Sequence, residues 1–323
     1  MNFEIGTGQG KSIFDLREVI AEGAAFGEEK LTILANGEGP TVLLCGGIHG
    51  DEYEPQIVLR RLAEELRPDD VRGRLIIVPS INFPGAQNGG RLSTLDGHNM
   101  NRVFPGDGSG TATQRLAAFL HDRVFPACDL LVDVHSGGSV YRVVPMIFGF
   151  SDPGCRVDER ALEALMESWG YAFIQYVEGV PTTAVGAALK ANLASVEIEG
   201  GSGGDVTADE LRTMEDGVRR GLAHFGVLRS SGKTRPVQRT PVRVRVGAAN
   251  EYTAPSDGVL EHAVGLGDKV ETGQIVARIH PVSGPSAEPT VIRSGADGYV
   301  LRQSTRAFLR KGDLIGNTGS PVR

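Results

Sequence analysis

The chain is poor in the features that would tie it to a disulfide framework, a membrane or a nucleic acid. It has three cysteines in 323 residues, Cys45, Cys128 and Cys155, an odd number without paired spacing. That usage argues against structural disulfides and fits a reducing cytoplasm. Cys45 and Cys128 lie beside apolar runs, where a thiol acts as a small hydrophobe. No apolar stretch approaches the roughly 20 residues that span a bilayer, so no membrane segment is expected. The opening Met1-Asn2-Phe3-Glu4-Ile5 has neither the basic nor the apolar region of a secretion signal. Charge is dispersed: 40 acidic and 33 basic side chains give a net −7 with no run of one sign, which excludes an evident nucleic-acid surface. Gly6-Thr7-Gly8-Gln9-Gly10-Lys11-Ser12 imitates a phosphate loop but has Ile5 where that loop needs glycine, so nucleotide binding is excluded. Histidine is scarce too, with seven in all.

What remains is an ordinary globular composition, 40% hydrophobic and 23% charged, long enough for one large core or a core with a smaller domain. The 44 glycines gather in loops around residues 46–50 and 200 and in the C-terminal third. From about 30 to 228, strand and helix patterns alternate. Leu31 to Leu34 and Thr41 to Cys45 read as strands joined by the turn Asn36-Gly37-Glu38-Gly39, and a helix runs from Tyr53 to Leu66 before Pro68. A strand follows over Arg74 to Pro79, a helix over Gln114 to Val124, a strand over Leu130 to Val134 and a helix over Arg156 to Trp169. Ala194 to Ile198 is a strand, and Asp209 to Gly226 a helix capped by Thr207. This order predicts an α/β fold with a mixed, largely parallel sheet flanked by helices. We read a domain over 1–228, a linker over 229–240 and a small all-β barrel or sandwich over 241–323. The last region holds a weak repeat, Ala254-Pro255-Ser256-Asp257-Gly258 echoed by Ser294-Gly295-Ala296-Asp297-Gly298.

Chemistry concentrates just past strand ends, where open α/β sheets bind ligands. His49 and Glu52, in Gly46-Gly47-Ile48-His49-Gly50-Asp51-Glu52, can turn toward one point between a strand and a helix. His135, in Asp133-Val134-His135-Ser136, supplies a distant third donor, the ligand set of a catalytic Zn²⁺ with one position open. The plain alternative is a pair of unrelated buried histidines. Asn101-Arg102 can bind a carboxylate through an amide and a guanidinium fork, and Arg91 can offer charge to an oxyanion; surface arginines are the plain alternative for both. Glu197, in Val196-Glu197-Ile198-Glu199, is a candidate general base, although alternation puts Glu199 on the same face.

His49-Gly50-Asp51-Glu52, Asn101-Arg102, Asp133-Val134-His135 and Val196-Glu197-Ile198, in this order, resemble the succinylglutamate desuccinylase/aspartoacylase family of the zinc carboxypeptidase superfamily. The resemblance implies one Zn²⁺ per chain on His49, Glu52 and His135, with Glu197 as general base and acid. It also implies substrate carboxylate on Asn101 and Arg102, and Arg91 at the carbonyl oxygen. The loop from Asn99 to Gly106 and the glycines after Glu199 look most like the N-acetyl-diaminobutyrate deacetylase branch. Two departures stand out: Asn99 where the superfamily often has Asp, and Glu199 where relatives often have Gly. The C-terminal repeat resembles biotinyl and lipoyl carriers, but the connection Ile279 to Ser286 has no lysine to carry the group. Tyr252 reads as a plain strand residue or a donor to the site.

The function expected from this set is a cytoplasmic, zinc-dependent deacylase of a small N-acyl amino acid, working through a metal-activated water. A homo-oligomer is compatible with it; no nucleic-acid or membrane partner is expected. The rival readings are an N-succinyl-amino-acid desuccinylase, a metallocarboxypeptidase and a non-catalytic binding or carrier protein.

Overall fold

The computed structural model describes residues 8–19, 29–151, 158–178, 182–201, 203–237, 240–282 and 288–322. The sequence readings on residues 1–7, on Cys155, on the start of the helix at Arg156, on residues 238–239 and on residues 283–287 lie outside them. Up to residue 228 the elements are β1 (Gly10–Asp15), α1 (Leu16–Val19), β2 (Lys30–Asn36), β3 (Thr41–Gly46), α2 (Tyr53–Glu65), β4 (Gly73–Val78), α3 (Phe83–Gln87) and α4 (Ala112–Phe119). Then come β5 (Leu130–Val134), β6 (Tyr141–Ser151), α5 (Glu159–Ser168), β7 (Phe173–Glu178), α6 (Ala184–Lys190), β8 (Ala194–Gly201) and α7 (Ala208–Phe225).

β3 and β5 are buried at every position, as strands covered on both faces must be. Alternation sorts their side chains into two layers. Val42, Leu44, Val132 and Val196 share a core with Val58, Leu59 and Leu62 of α2, Met166 of α5 and Val218 and Leu222 of α7. Leu43, Cys45 and Leu131 face the other way, toward Leu116 and Ala117 of α4 and Val185 and Ala188 of α6. α7 is defined at both ends, with Thr207 accepting from the Glu210 N–H at 3.3 Å and Gly226 closing it at φ +87°.

The main sheet runs β1-β2-β4-β3-β5-β8-β6-β7 and onward into the C-terminal strands. It is mixed: β4, β3, β5 and β8 are parallel, as are β6 and β7, while β1–β2, β2–β4 and β6–β8 pair antiparallel. The antiparallel partners follow from two short connections, residues 37–40 between β2 and β3 and residues 135–140 between β5 and β6, each of which reverses the chain where a parallel pair would need a long crossover. β2 and β3, joined by residues 37–40, are not neighbours; β4 lies between them. The chain crosses the end of β4 in close contact, and a Cβ on Gly73 (φ +79°) would sit 2.4 Å from both Gly39 C and Pro40 O. β6, β7 and α6 were not legible as elements in the sequence.

The C-terminal strands are β9 (Val242–Arg245), β10 (Glu251–Thr253), β11 (Gly258–His262), β12 (Lys269–Val270), β13 (Ile275–His280), β14 (Thr290–Arg293), β15 (Gly298–Ser304), β16 (Phe308–Leu309) and β17 (Leu314–Pro321). β14-β13-β11-β16 make a second sheet, and Val270, Val276, Ile279, Val300, Leu309 and Ile315 form a separate small core. The two repeat halves diverge: β11 joins the small sheet and β15 the large one. β9 hydrogen-bonds β7 and β17, and β15 pairs with β6 through Arg302↔Val143 and Ser304↔Tyr141. These pairings carry the large sheet into the C-terminal region and bring residues near 302 beside the end of β8. Among the described residues no helix is long and apolar enough to cross a membrane.

One buried carboxylate in the first layer carries a stability prediction. Glu29 accepts from the Ser80 N–H at 2.9 Å and lies 3.5 Å from Arg60, yet burial pushes its pKa up to about 7. A carboxyl with a raised folded-state pKa favours folding below its ordinary value of 4.5, and that contribution disappears as pH rises through about 7. The expected loss is about 3 kcal/mol. Glu29→Gln removes this slope, so urea unfolding between pH 4.5 and 7 should show a flatter profile for the variant; parallel profiles would refute the assignment.

Candidate active site

The register of the parallel strands aligns Cys45, Asp133 and Glu197 in one row across β3, β5 and β8. Just beyond that row the strand ends deliver His49, Glu52 and His135. Glu52 stands at the N-cap position of α2, and the loop before it is held by close packing. A Cβ on Gly50 would fall 2.2 Å from Gly85 C, so this turn tolerates no side chain there. Gln56 donates to Gly50 O and Glu52 O, each at 2.9 Å, which fixes the loop from below.

His49 Nδ1 lies 2.7 Å from Glu52 Oε1, and His135 Nδ1 lies 2.8 Å from Glu52 Oε2. All three side chains are buried, and the two ring centroids are 5.0 Å apart. The outward nitrogens are occupied as well: His49 Nε2 is 3.2 Å from Asn99 Oδ1, and His135 Nε2 is 3.0 Å from Asp133 Oδ2. Both outer partners can accept an Nε2 proton, so with an ion in place each ring would keep its proton on Nε2 and turn its Nδ1 lone pair inward. Asn99 thus takes the orienting position usually held by a carboxylate.

The three side chains shift one another's protonation in different directions. Burial opposes charge on Glu52, but attraction to His49 and His135, with hydrogen bonds from both, outweighs it and holds the carboxylate well below its usual range. Burial likewise opposes charge on His135, and Asp133 with Glu52 overcomes it, raising that imidazole well above its usual value. For His49 burial prevails and lowers the pKa. Asp133 and Glu52 together favour positive charge at this point, which suits a cation. His49, Glu52 and His135 offer donor atoms within 4.8 Å of one another, and two imidazoles with a carboxylate suit a divalent ion such as Zn²⁺. A second group, Asp133, His135 and Glu197, meets the same distance. We favour the first set, because in it every imidazole keeps an outer hydrogen-bond partner.

The other sequence-derived residues surround this point, in a cleft of ≈ 640 Å³. Glu197, Asn101, Arg102 and Arg91 all line it. Burial pushes Glu197 up to about 8, opposed by His135 and assisted by the charges of Asp133, Glu199 and Glu52. Asn101 is buried; its Oδ1 accepts from the Ala184 N–H at 2.9 Å, and its Nδ2 sits 3.4 Å from His135 Nε2. Arg102 is exposed, with Nη1 donating to Asn101 O at 2.6 Å. Arg91 Nη1 reaches Glu52 Oε1 at 3.1 Å from the rim.

Several cleft residues were not singled out from the sequence. Ser136 donates its N–H to Glu52 Oε2 at 3.3 Å and its hydroxyl to Glu54 at 2.7 Å. Tyr141, Arg302 and Arg306 line the cleft, the last two from β15 and the turn after it. Arg302 Nη2 donates to Glu199 Oε1 at 3.1 Å, and its guanidinium lies 5.4 Å from the Tyr141 ring centroid. Glu199 is buried against that cation. Tyr252 is elsewhere: its hydroxyl bonds Ser294 and Thr318 inside the C-terminal core.

The succinylglutamate desuccinylase/aspartoacylase catalytic-domain family matches residues 38–225, more than half of the sequence. The chain belongs to that family. It is 34% identical over 291 residues, 88% of this chain and 83% of the relative, to the N-alpha-acetyl-L-2,4-diaminobutyric acid deacetylase of Halomonas elongata. Its structure is similar to that of the succinylglutamate desuccinylase/aspartoacylase from Rhodobacter sphaeroides, with a TM-score of 0.87, 30% identity and coverage of 98% and 97% of the two chains. The product-bound ectoine utilization protein from Ruegeria pomeroyi superposes with a TM-score of 0.85, at 28% identity over 97% and 96%. These likenesses span the C-terminal strands as well as the matched catalytic domain.

Proposed function

We propose that this chain is a zinc-dependent deacylase that hydrolyses the amide of an N-acetyl amino acid, of the Nα-acetyl-2,4-diaminobutyrate type. The observation that carries the reading is the shared contact of His49 Nδ1 and His135 Nδ1 with the two oxygens of Glu52, within a cleft that also holds Glu197. Family membership and the deacetylase relative support the reaction class.

His49, Glu52 and His135 would hold the ion, which when bound supplies Lewis acidity toward an amide carbonyl and lowers the pKa of a water. Arg102, with Asn101 beside it, anchors the substrate carboxylate and fixes the scissile bond in the cleft. Glu197 removes a proton from the attacking water as oxygen bonds to the carbonyl carbon, and returns it to nitrogen as the C–N bond breaks. Its raised pKa suits a group that must both take and give a proton near neutrality. Arg91 offers positive charge to the carbonyl oxygen as it becomes anionic. The products are a free carboxylate and the amino acid.

We also assign residues 1–228 to the catalytic unit and 241–323 to a unit that walls the cleft, with the chain between as a linker. Support comes from Arg302 and Arg306 in the cleft lining and from the pairing of β15 with β6. A wall of this kind accounts for the C-terminal strands without a carrier lysine.

Metal analysis together with release of acetate from Nα-acetyl-L-2,4-diaminobutyrate tests the reading, with N-succinyl amino acids and dipeptides assayed beside it. Stoichiometric zinc and a preference for the acetyl substrate are expected; a metal-free, inactive chain would exclude it. Arg102→Ala should reduce kcat/KM on carboxylate-bearing substrates by about 10- to 100-fold, the scale of a lost charged hydrogen bond. The corresponding carboxamides should be hydrolysed alike by both forms, whereas an equal loss on them would remove Arg102 from carboxylate binding.

A further inference from the structure

The cleft contains a carboxylate that the deacylation steps above do not use. Glu199 follows Glu197 by two residues on β8, on the same face, and is buried in the cleft lining. Among the described residues its one hydrogen bond is from Arg302 Nη2 to Oε1. The contact is single-pronged: Arg302 Nε, on the other limb of the fork, is buried without a partner. A bidentate guanidinium would occupy both carboxylate oxygens; this one leaves Oε2 for another donor. Arg302 is meanwhile held back against Tyr141, at 5.4 Å from the ring centroid. The strand puts about 7 Å between equivalent atoms of Glu197 and Glu199. Four bonds, an extended span of about 5 Å, separate the α-nitrogen of a 2,4-diamino acid from its side-chain nitrogen. With the α-nitrogen beside Glu197, a side-chain ammonium therefore arrives within hydrogen-bond reach of Glu199.

Resting on the proposed deacylase reading, we propose that Glu199 is the specificity-determining residue for the substrate side chain, accepting an ammonium on its free oxygen and selecting short cationic amino acids. Arg302 positions that carboxylate and limits its charge. The two residues should then act with opposite signs. Removing Glu199 discards the acceptor, whereas removing Arg302 exposes more of it.

The test is the ratio of kcat/KM for Nα-acetyl-L-2,4-diaminobutyrate to that for its neutral counterpart, Nα-acetyl-L-norvaline, in the zinc-loaded wild type, Glu199→Gln and Arg302→Gln. The wild type should favour the cationic substrate. Glu199→Gln should lower the ratio by about 10- to 100-fold, the scale of a charge-assisted hydrogen bond, with most of the change in KM; Arg302→Gln should hold or raise it. A lower ratio in both variants, or equal losses on both substrates, would make the pair a structural bridge and overturn the assignment. Faster turnover of Nα-acetyl-L-glutamate by the wild type, lost in Arg302→Gln, would instead give the subsite to an anionic side chain. Should Glu199→Gln not fold, competitive inhibition of the wild type decides: L-2,4-diaminobutyrate should inhibit more strongly than L-norvaline, and equal inhibition overturns the proposal. Failure of the wild type to cleave any of these amides would bring down the deacylase reading itself, a result distinct from cleavage without discrimination.

Discussion

Glu52→Ala should abolish both metal uptake and catalysis. The expectation follows from where Glu52 sits: one oxygen faces His49 and the other faces His135, so its loss removes the group that draws the two rings together. Burying two imidazoles beside Asp133 without it leaves a weaker and differently shaped cation site. His49→Ala and His135→Ala should behave in the same way, and a chelator should inactivate the native chain with recovery on addition of Zn²⁺. The outer partners should produce smaller losses. Asn99→Ala and Asp133→Asn leave the three donors in place but release the Nε2 protons they orient, which should weaken metal affinity by about 10- to 100-fold. Metal content by elemental analysis, followed by titration against a competing chelator, separates these grades. If Glu52→Ala retained stoichiometric zinc, the ion would belong to the alternative group of Asp133, His135 and Glu197, and the proposed assignment would fail.

Much of the cleft lining was legible because His49, Glu52, His135 and Glu197 lie on or just past the sheet's strands, whereas Arg91, Asn101 and Arg102 come from the loop after α3. Apolar runs such as Thr41 to Cys45 and Leu130 to Val134 announce buried strands, and the residues just after them fall on the carboxyl edge of the sheet. His49, Glu52, His135, Glu197, Asn101, Arg102 and Arg91 all line one cleft. Pairing between strands far apart in sequence was not legible. Nothing in Asn36-Gly37-Glu38-Gly39 announces that β4 will insert between the strands it joins. Likewise nothing near Arg302 shows that β15 will pair with β6 and deliver a guanidinium to Glu199, 103 residues earlier. Alternation could place Glu199 on the same face as Glu197, but the arginine that contacts it comes from tertiary pairing alone. β6 and β7 were missed for a related reason. Tyr141 to Ser151 contains Pro145 and a glycine, Gly149, between Phe148 and Phe150, and its strand character depends on β8 and β7 as neighbours.

Glu197→Gln should lower kcat by at least about 10²-fold, the scale of general-base catalysis, while zinc content and KM change little. The substitution keeps the side chain's length and one of its oxygens but cannot take up a proton. That makes it a measure of proton transfer rather than of shape. The distinction matters because Glu197 stands near two different roles. Its neighbours His135 and Asp133 could join it in holding a cation, in which case the amide would weaken metal binding and catalysis together. Its raised pKa argues for the other role: a carboxyl pushed up to about 8 by burial among Asp133, Glu199 and Glu52 has the basicity to draw a proton from water and the acidity to return it to an amine. A ligand carboxylate, by contrast, works best fully ionised, as Glu52 is held between its two imidazoles. The two carboxylates are thus driven in opposite directions by their surroundings, which is the pattern expected when one binds and the other transfers protons. Loss of zinc from Glu197→Gln, or retention of full turnover, would reverse this division of labour.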